Sequence, residues 1–316
     1  MPRLSCRVLE QTSEFNAQDV ANTIWATATL KGRAPELLEI HEVLAEMAAA
    51  GATALNPQAL ANILRSAATL KADALPRLVE GILAAREMYN AQDVANTIWA
   101  IAALKEEAPV LQQLLPDILS EVSRVAKDLN AQAASNILWA GASLRNDHAQ
   151  LWEGVMPALR RASIARLRSS NEQNIANSAW ALALLDDGSP EATDALNRFA
   201  IAATAVVGQM TPQELANTCY GLALRGIHCV DFLEDVATAV AKTSSAWTAE
   251  DKMMDLPAIA WAFAKLGFVN KDMMQAVVVA LEGKVPGMKA WDVCVVVPDL
   301  AEWVALYSCM LGTLCD

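Results

Sequence analysis

Apolar positions fall in blocks of helical period separated by short polar breaks, and one block recurs. Phe15–Lys31 reads FNAQDVANTIWATATLK and Tyr89–Lys105 reads YNAQDVANTIWAIAALK. Weaker copies begin at Asn56 (NPQALANILRSAATLK), Asn130 (NAQAASNILWAGASLR), Asn171 (NEQNIANSAWALALLD) and Thr211 (TPQELANTCYGLALRG). Their shared residues are Asn22, Asn62, Asn96, Asn136, Asn177 and Asn217, at spacings of 40, 34, 40, 41 and 40. A seventh, degraded copy ends in Ile259–Gly267, with Ala258 in the Asn place.

Each copy predicts a helix with local start signals. Asn16, Asn56, Asn90, Asn130, Asn171 and Thr211 are N-cap types whose side chains accept free first-turn N–H groups. Pro57 and Pro212 follow at the first helical position, where a missing N–H costs nothing. Asp19, Asp93 and Glu214 stand three after the cap, as a capping box requires. The helix ends about fourteen residues later at a Leu and a short polar loop. A second helix follows, opened by Pro35, Pro76, Pro109 or Pro190 and apolar on one face, as in Leu37, Leu38, Val43, Leu44 and Met47.

Such a hairpin cannot bury its core alone, so neighbours stack. The expected fold is all-α, a right-handed α-solenoid of helix-turn-helix repeats of about 40 residues. The solenoid is expected over 15–267. Residues 1–14 read as the partial helix of a preceding repeat, which makes the chain a candidate fragment of a longer one. Residues 268–316 read as degenerate capping helices that keep Trp291 and Trp303.

Composition agrees with helix, since hydrophobic residues make up 54%, charged ones 19% and aromatics 5%. The net charge is −12, which by itself argues against a general phosphate binder. The acidic residues concentrate on second helices, as in Glu36, Glu39, Glu42 and Glu46, whereas the 90 residues of the six clear first-helix blocks hold six ionisable ones. Net charge therefore describes an outer face, and the first helices are largely enclosed or line an inner wall. The six cysteines form no CxxC pair and read as scattered buried thiols in a reducing compartment. No stretch is long and apolar enough to insert in a membrane, and no clear transit peptide is present.

Three sets of columns carry candidate chemistry. Gln18, Gln58, Gln92, Gln132, Gln173 and Gln213 precede the shared Asn by four, and Trp25, Trp99, Trp139 and Trp180 follow it by three. With the six Asn they form a ladder of amides and indoles. A ladder of this kind grips an extended polymer or, as expected for residues at helical spacing, builds the stack itself. The columns that vary are Asp19, Asp93, Asn174 and Glu214 (Ala59 and Ala133 in the other copies) and, four later, Thr23, Thr97, Ser178 and Thr218 (Ile63 and Ile137). They change together, polar with polar and apolar with apolar, so they either read one ligand unit per repeat or mark which copies bury that face. Nine after the Asn stand Lys31, Lys71, Lys105 and Arg145. These cations complement helix C-termini or form a basic edge for a phosphate backbone. Arg160, Arg161, Arg166 and Arg168 read as a solvated helix face.

Catalysis finds no support. His41, His148 and His228 have no partner at motif spacing, and there is no Gly-rich phosphate loop, metal-ligand cluster or sign of a cofactor or small-molecule substrate.

The core strings ANTIWA (21–26 and 95–100), SNILWA (135–140) and ANSAWA (176–181) resemble the octotricopeptide repeat and the helical repeats that precede RAP domains in organellar RNA-processing proteins. The resemblance covers about 15–267; the chain departs from it in its acidic charge, its uneven repeat length and the lack of a recognisable RAP domain. It implies single-stranded RNA binding in a chloroplast or mitochondrion, for transcript stability, processing or translation. Some relatives of this type are structural parts of organellar ribosomes, so a protein-binding scaffold is the alternative.

Overall fold

The computed structural model describes residues 8, 10–30, 40, 43–44, 47–48, 63, 83, 86–106, 108–185 and 187–281. Among them every regular element is helical. The α-helices are α1 (Ala17–Leu30), α2 (Ala91–Ala103), α3 (Leu115–Val125), α4 (Ala131–Glu153), α5 (Met156–Arg166), α6 (Glu172–Leu184), α7 (Pro190–Thr204), α8 (Pro212–Leu224), α9 (Val230–Thr243), α10 (Ala249–Lys265) and α11 (Lys271–Leu281). Lys31, Asn56, Asn62, Lys71, Pro35 and Pro76, most of the copy that begins at Asn56, and the tail beyond 281 lie outside the described residues.

The chain divides into two compact units, Met1–Ala162 and Ser163–Asp316. In the first, α2 packs along α4 and α3 lies against both. In the second, the first helices α6, α8 and α10 pack successively, as do the second helices α7, α9 and α11. The pairs α6–α7 and α10–α11 close the hairpins. Phe199, Phe232, Val236, Phe263 and Met273 are buried in this unit, and Ile98, Leu111, Leu115, Ile118 and Leu138 in the first.

Close packing of first helices rests on a column of small residues four after the shared Asn. Ala100, Ala140, Ala181 and Ala262 are buried there. At Gly221 the column tightens further: a Cβ would stand 2.9 Å from the Ala179 carbonyl oxygen and 3.1 Å from the Trp180 Cα.

Helix starts follow their sequence signals. Asn90 and Thr211 complete capping boxes with Asp93 and Glu214, and Asn16 does so with Asp19. Asn130 and Asn171 accept the N–H of Ala133 and Asn174. Tyr89 and Met210 are buried just before their caps, as are Val94 and Leu215 four after them, which is the arrangement of a hydrophobic staple.

Three departures have local causes. No Gly or Pro separates Arg145 from Glu153, so α4 runs on with only a kink at His148 (φ −139°, ψ 31°) where a loop is expected. Pro109 opens a 3₁₀ turn over Pro109–Leu114 before α3 begins. In the degraded copy the cap moves upstream to Thr248, paired with Asp251, and α10 carries Pro257 in its interior.

Candidate functional site

The first helices are enclosed almost all round. In α2 Val94, Ala95, Thr97, Ile98, Ala100, Ile101 and Ala102 are buried, and in α8 the equivalent seven from Leu215 to Ala223. One stripe keeps some exposure, and it carries the shared Gln, Asn and aromatic residue, except that in α2 Gln92 and Trp99 are half-buried and Asn96 is buried. Gln18, Asn22 and Trp25 are exposed, Trp25 by 51%. Gln132, Gln173 and Gln213 are exposed, and Asn136, Asn177, Asn217, Trp139, Trp180 and Tyr220 are half-buried. Met254 and Trp261 continue the stripe on α10. The shared columns are thus exposed on α1 and mostly part-exposed on the later first helices.

Within the stripe the amides are tied together. Gln18 Nε2 donates to Asn22 Oδ1 at 3.0 Å, and Gln92 Nε2 to Asn96 Oδ1 at 2.7 Å. The rings meet between neighbouring helices: Trp99 and Trp139 have centroids 6.5 Å apart at 34°, and Tyr220 and Trp261 stack at 5.0 Å and 30°.

The variable columns face the other way. Thr97, Ser178 and Thr218 are buried. Thr23, Thr97 and Thr218 donate their hydroxyls to the carbonyls of Asp19, Asp93 and Glu214 one turn back, while those acids accept the N–H of the cap residue. Asn174 is part-exposed beside its cap. A threonine can be buried there because its own helix backbone satisfies it. Asp19 and Thr23 are part-exposed and, with Gln11, Glu14, Phe15 and Asn22, line a groove of about 350 Å³.

The basic column bonds main-chain carbonyls of α4 just before its kink at His148. Lys105 Nζ donates to the Ser143 carbonyl of the next first helix at 3.1 Å, and Arg145 to the Ala142 carbonyl of its own at 2.7 Å. Where the cation is replaced by glycine, the backbone does the same work. Gly226 and Gly267 adopt φ of 64° and 63°. The bonds Ile227 N–H to Leu222 O and Phe268 N–H to Phe263 O complete Schellman turns. Arg225, one position earlier, reaches back to the Ala183 carbonyl at 2.6 Å. Of the second cluster, Arg161 and Arg168 are exposed, but Arg160 is buried, which a solvated face does not predict.

Burial pushes the Tyr89 hydroxyl up to about 12, with Asp93 adding to it, and raises Asp93 itself. Burial raises the Cys219 thiol. Burial, then Asp251 and Glu250, push Asp255 on α10 up to about 6 from 3.8. A carboxyl raised in the folded state costs nothing below its ordinary pKa of 3.8, and the cost accumulates as pH climbs from there to about 6. Asp255→Asn is therefore expected to stabilise the protein at pH 7 by about 1 kcal/mol, the full shift being discounted for solvent screening. The gain should vanish below pH ~4, where the free carboxyl is already neutral; urea melts at pH 4 and pH 7 measure it.

Among the described residues no group of His, Cys, Asp and Glu is placed to hold a metal ion, and no helix is long and apolar enough to cross a membrane. No protein-family model matches the chain, and comparison with curated proteins finds no match.

Proposed function

We propose that this chain is a right-handed, non-enzymatic α-solenoid whose first-helix stripes bind single-stranded RNA. This accords with the organellar RNA-binding repeats that its Asn–Trp core resembles. The supporting observation is the amide-and-aromatic stripe, exposed or part-exposed on α1, α4, α6 and α8, helices that bury most of their other positions. Aromatic faces accept unpaired bases regardless of sequence, and carboxamides supply both donors and acceptors to base edges.

Charge along the stripe suits a strand lying across the helices. In the first unit the capping acids Asp19 and Asp93 stand at helix starts, Lys105 just past the end of α2 and Arg145 before the kink of α4. The step of six positions from Trp99 to Lys105 spans ~9 Å of axis, so bases over the indoles leave phosphates near the cations. A lysine that donates one hydrogen to a carbonyl keeps its charge and two further donors.

The test is binding of a random-sequence 16-nucleotide RNA at two salt concentrations. Four phosphate contacts, from Lys31, Lys71, Lys105 and Arg145, predict a loss of about 50-fold between 50 and 200 mM salt. Replacing Lys105 and Arg145 together by Gln keeps a donor for each carbonyl but removes two charges. It should reduce the slope of log K against log salt by about 1.4. Absence of salt-sensitive RNA binding, with a protein partner retained after nuclease treatment, would overturn the proposal in favour of a scaffold.

A further inference from the structure

Resting on the RNA reading, we infer that Trp99 and Trp139 form a clamp that takes one unpaired nucleobase between their indoles, with the Asn96 amide at its rim. Three observations on α2 and α4 converge. First, the ring centroids stand 6.5 Å apart and tilted by 34°, close to the ~6.8 Å that two successive stacking steps of ~3.4 Å need. A small opening of the wedge admits a flat ring. The Tyr220–Trp261 pair, at 5.0 Å and 30°, is already a closed stack.

Second, Asn96 lies one turn before Trp99 on the same face. It is only 1% exposed, and its Nδ2 has no hydrogen-bond partner. Gln92 occupies its other amide atom at 2.7 Å. Whichever way the two amides are turned, they share one bond, and one polar atom of Asn96 is left over. A buried amide without a partner is costly, and the edge of a base held against the indoles offers the carbonyl, ring nitrogen or amino group it lacks.

Third, Gln92 lines a groove of about 240 Å³ with Asn90, Ala91, Asp128, Asn130 and Ala133, at the adjoining starts of α2 and α4. The groove lies about two helical turns, ~10 Å, from Trp99, so a strand leaving the clamp toward the helix starts meets it.

The experiment uses the full chain and a 12-nucleotide single-stranded RNA carrying one 2-aminopurine, whose emission falls when it stacks. Trp99→Leu and Trp139→Leu keep apolar bulk and remove a platform. Each is expected to weaken binding by about 5- to 140-fold and to restore probe emission. The double variant should lose less than the product of the two, because both rings hold one base. Trp261→Leu, at the closed stack, should lose less than either.

Asn96→Leu separates recognition from architecture. Removing an amide with one unsatisfied atom, at the loss of its bond to the half-buried Gln92, should leave the thermal midpoint little changed while RNA affinity falls. If the chain binds the probe but Trp99→Leu and Trp139→Leu bind as well as wild type, or all three Trp variants lose equally, the clamp is overturned and the RNA reading stands. If wild type binds no RNA at either salt concentration, both fall together.

Discussion

Gly221→Leu is expected to lower the thermal midpoint by roughly 6–12 °C. The atoms in the way are main-chain: the Ala179 carbonyl oxygen at 2.9 Å from an added Cβ and the Trp180 Cα at 3.1 Å. A flexible neighbour could rotate aside, but a helix backbone can yield only by moving α6 away from α8, opening the contact along both. Overpacking of this kind costs ~3 kcal/mol, and in a unit of this size each kcal/mol moves the midpoint by ~2–4 °C. Gly221→Ala is a sharper comparison. It gains ~1 kcal/mol of helix propensity while meeting the same carbonyl, so the opposing effects should leave its midpoint within about 4 °C of wild type. Circular dichroism melts of both variants test the close approach. A Leu variant that melts with wild type would show that the two helices stand further apart.

Phe263→Ala should be comparably severe, a loss of ~3–5 kcal/mol and roughly 6–20 °C. Phe263 is fully buried, and its ring meets Phe268 edge-on at 5.5 Å and 81°. Phe268 is also the residue whose N–H closes the turn onto the Phe263 carbonyl. The substitution thus removes core volume and the apolar contact that accompanies this helix ending. The effect would fall in the copy whose sequence is most eroded. A melt unchanged by Phe263→Ala would mean that this copy lies outside the cooperative core.

Helices and caps were legible because their causes are local. Asn130, Asn171 and Thr211 cap where the spacing places them, since a cap needs only its own first turn. Which stripe stays exposed was not legible. Periodicity separates an apolar face from a polar one, but these helices are apolar nearly all round, so it cannot say which column is left open. Tryptophan is ordinarily placed in a core, yet Trp25 is half exposed, whereas Thr97 and Thr218 are fully buried against carbonyls of their own helix. Lys105 and Arg145 suggest a phosphate track by charge alone. Only the carbonyls of Ser143 and Ala142, just before the kink in α4, and the glycines that replace the cations at 226 and 267, reveal their main-chain work.

The intrahelical pairing of the capping acids and threonines bears on how such a chain can grow. Asp19 with Thr23 and Asp93 with Thr97 complete their bonds within a single helix. A duplicated segment would bring these donors and acceptors already matched, wherever it was inserted. Fourteen of the seventeen residues in Phe15–Lys31 recur unchanged in Tyr89–Lys105. A self-contained polar wiring allows such a copy to take up a new position without first accumulating compensating substitutions in its neighbours.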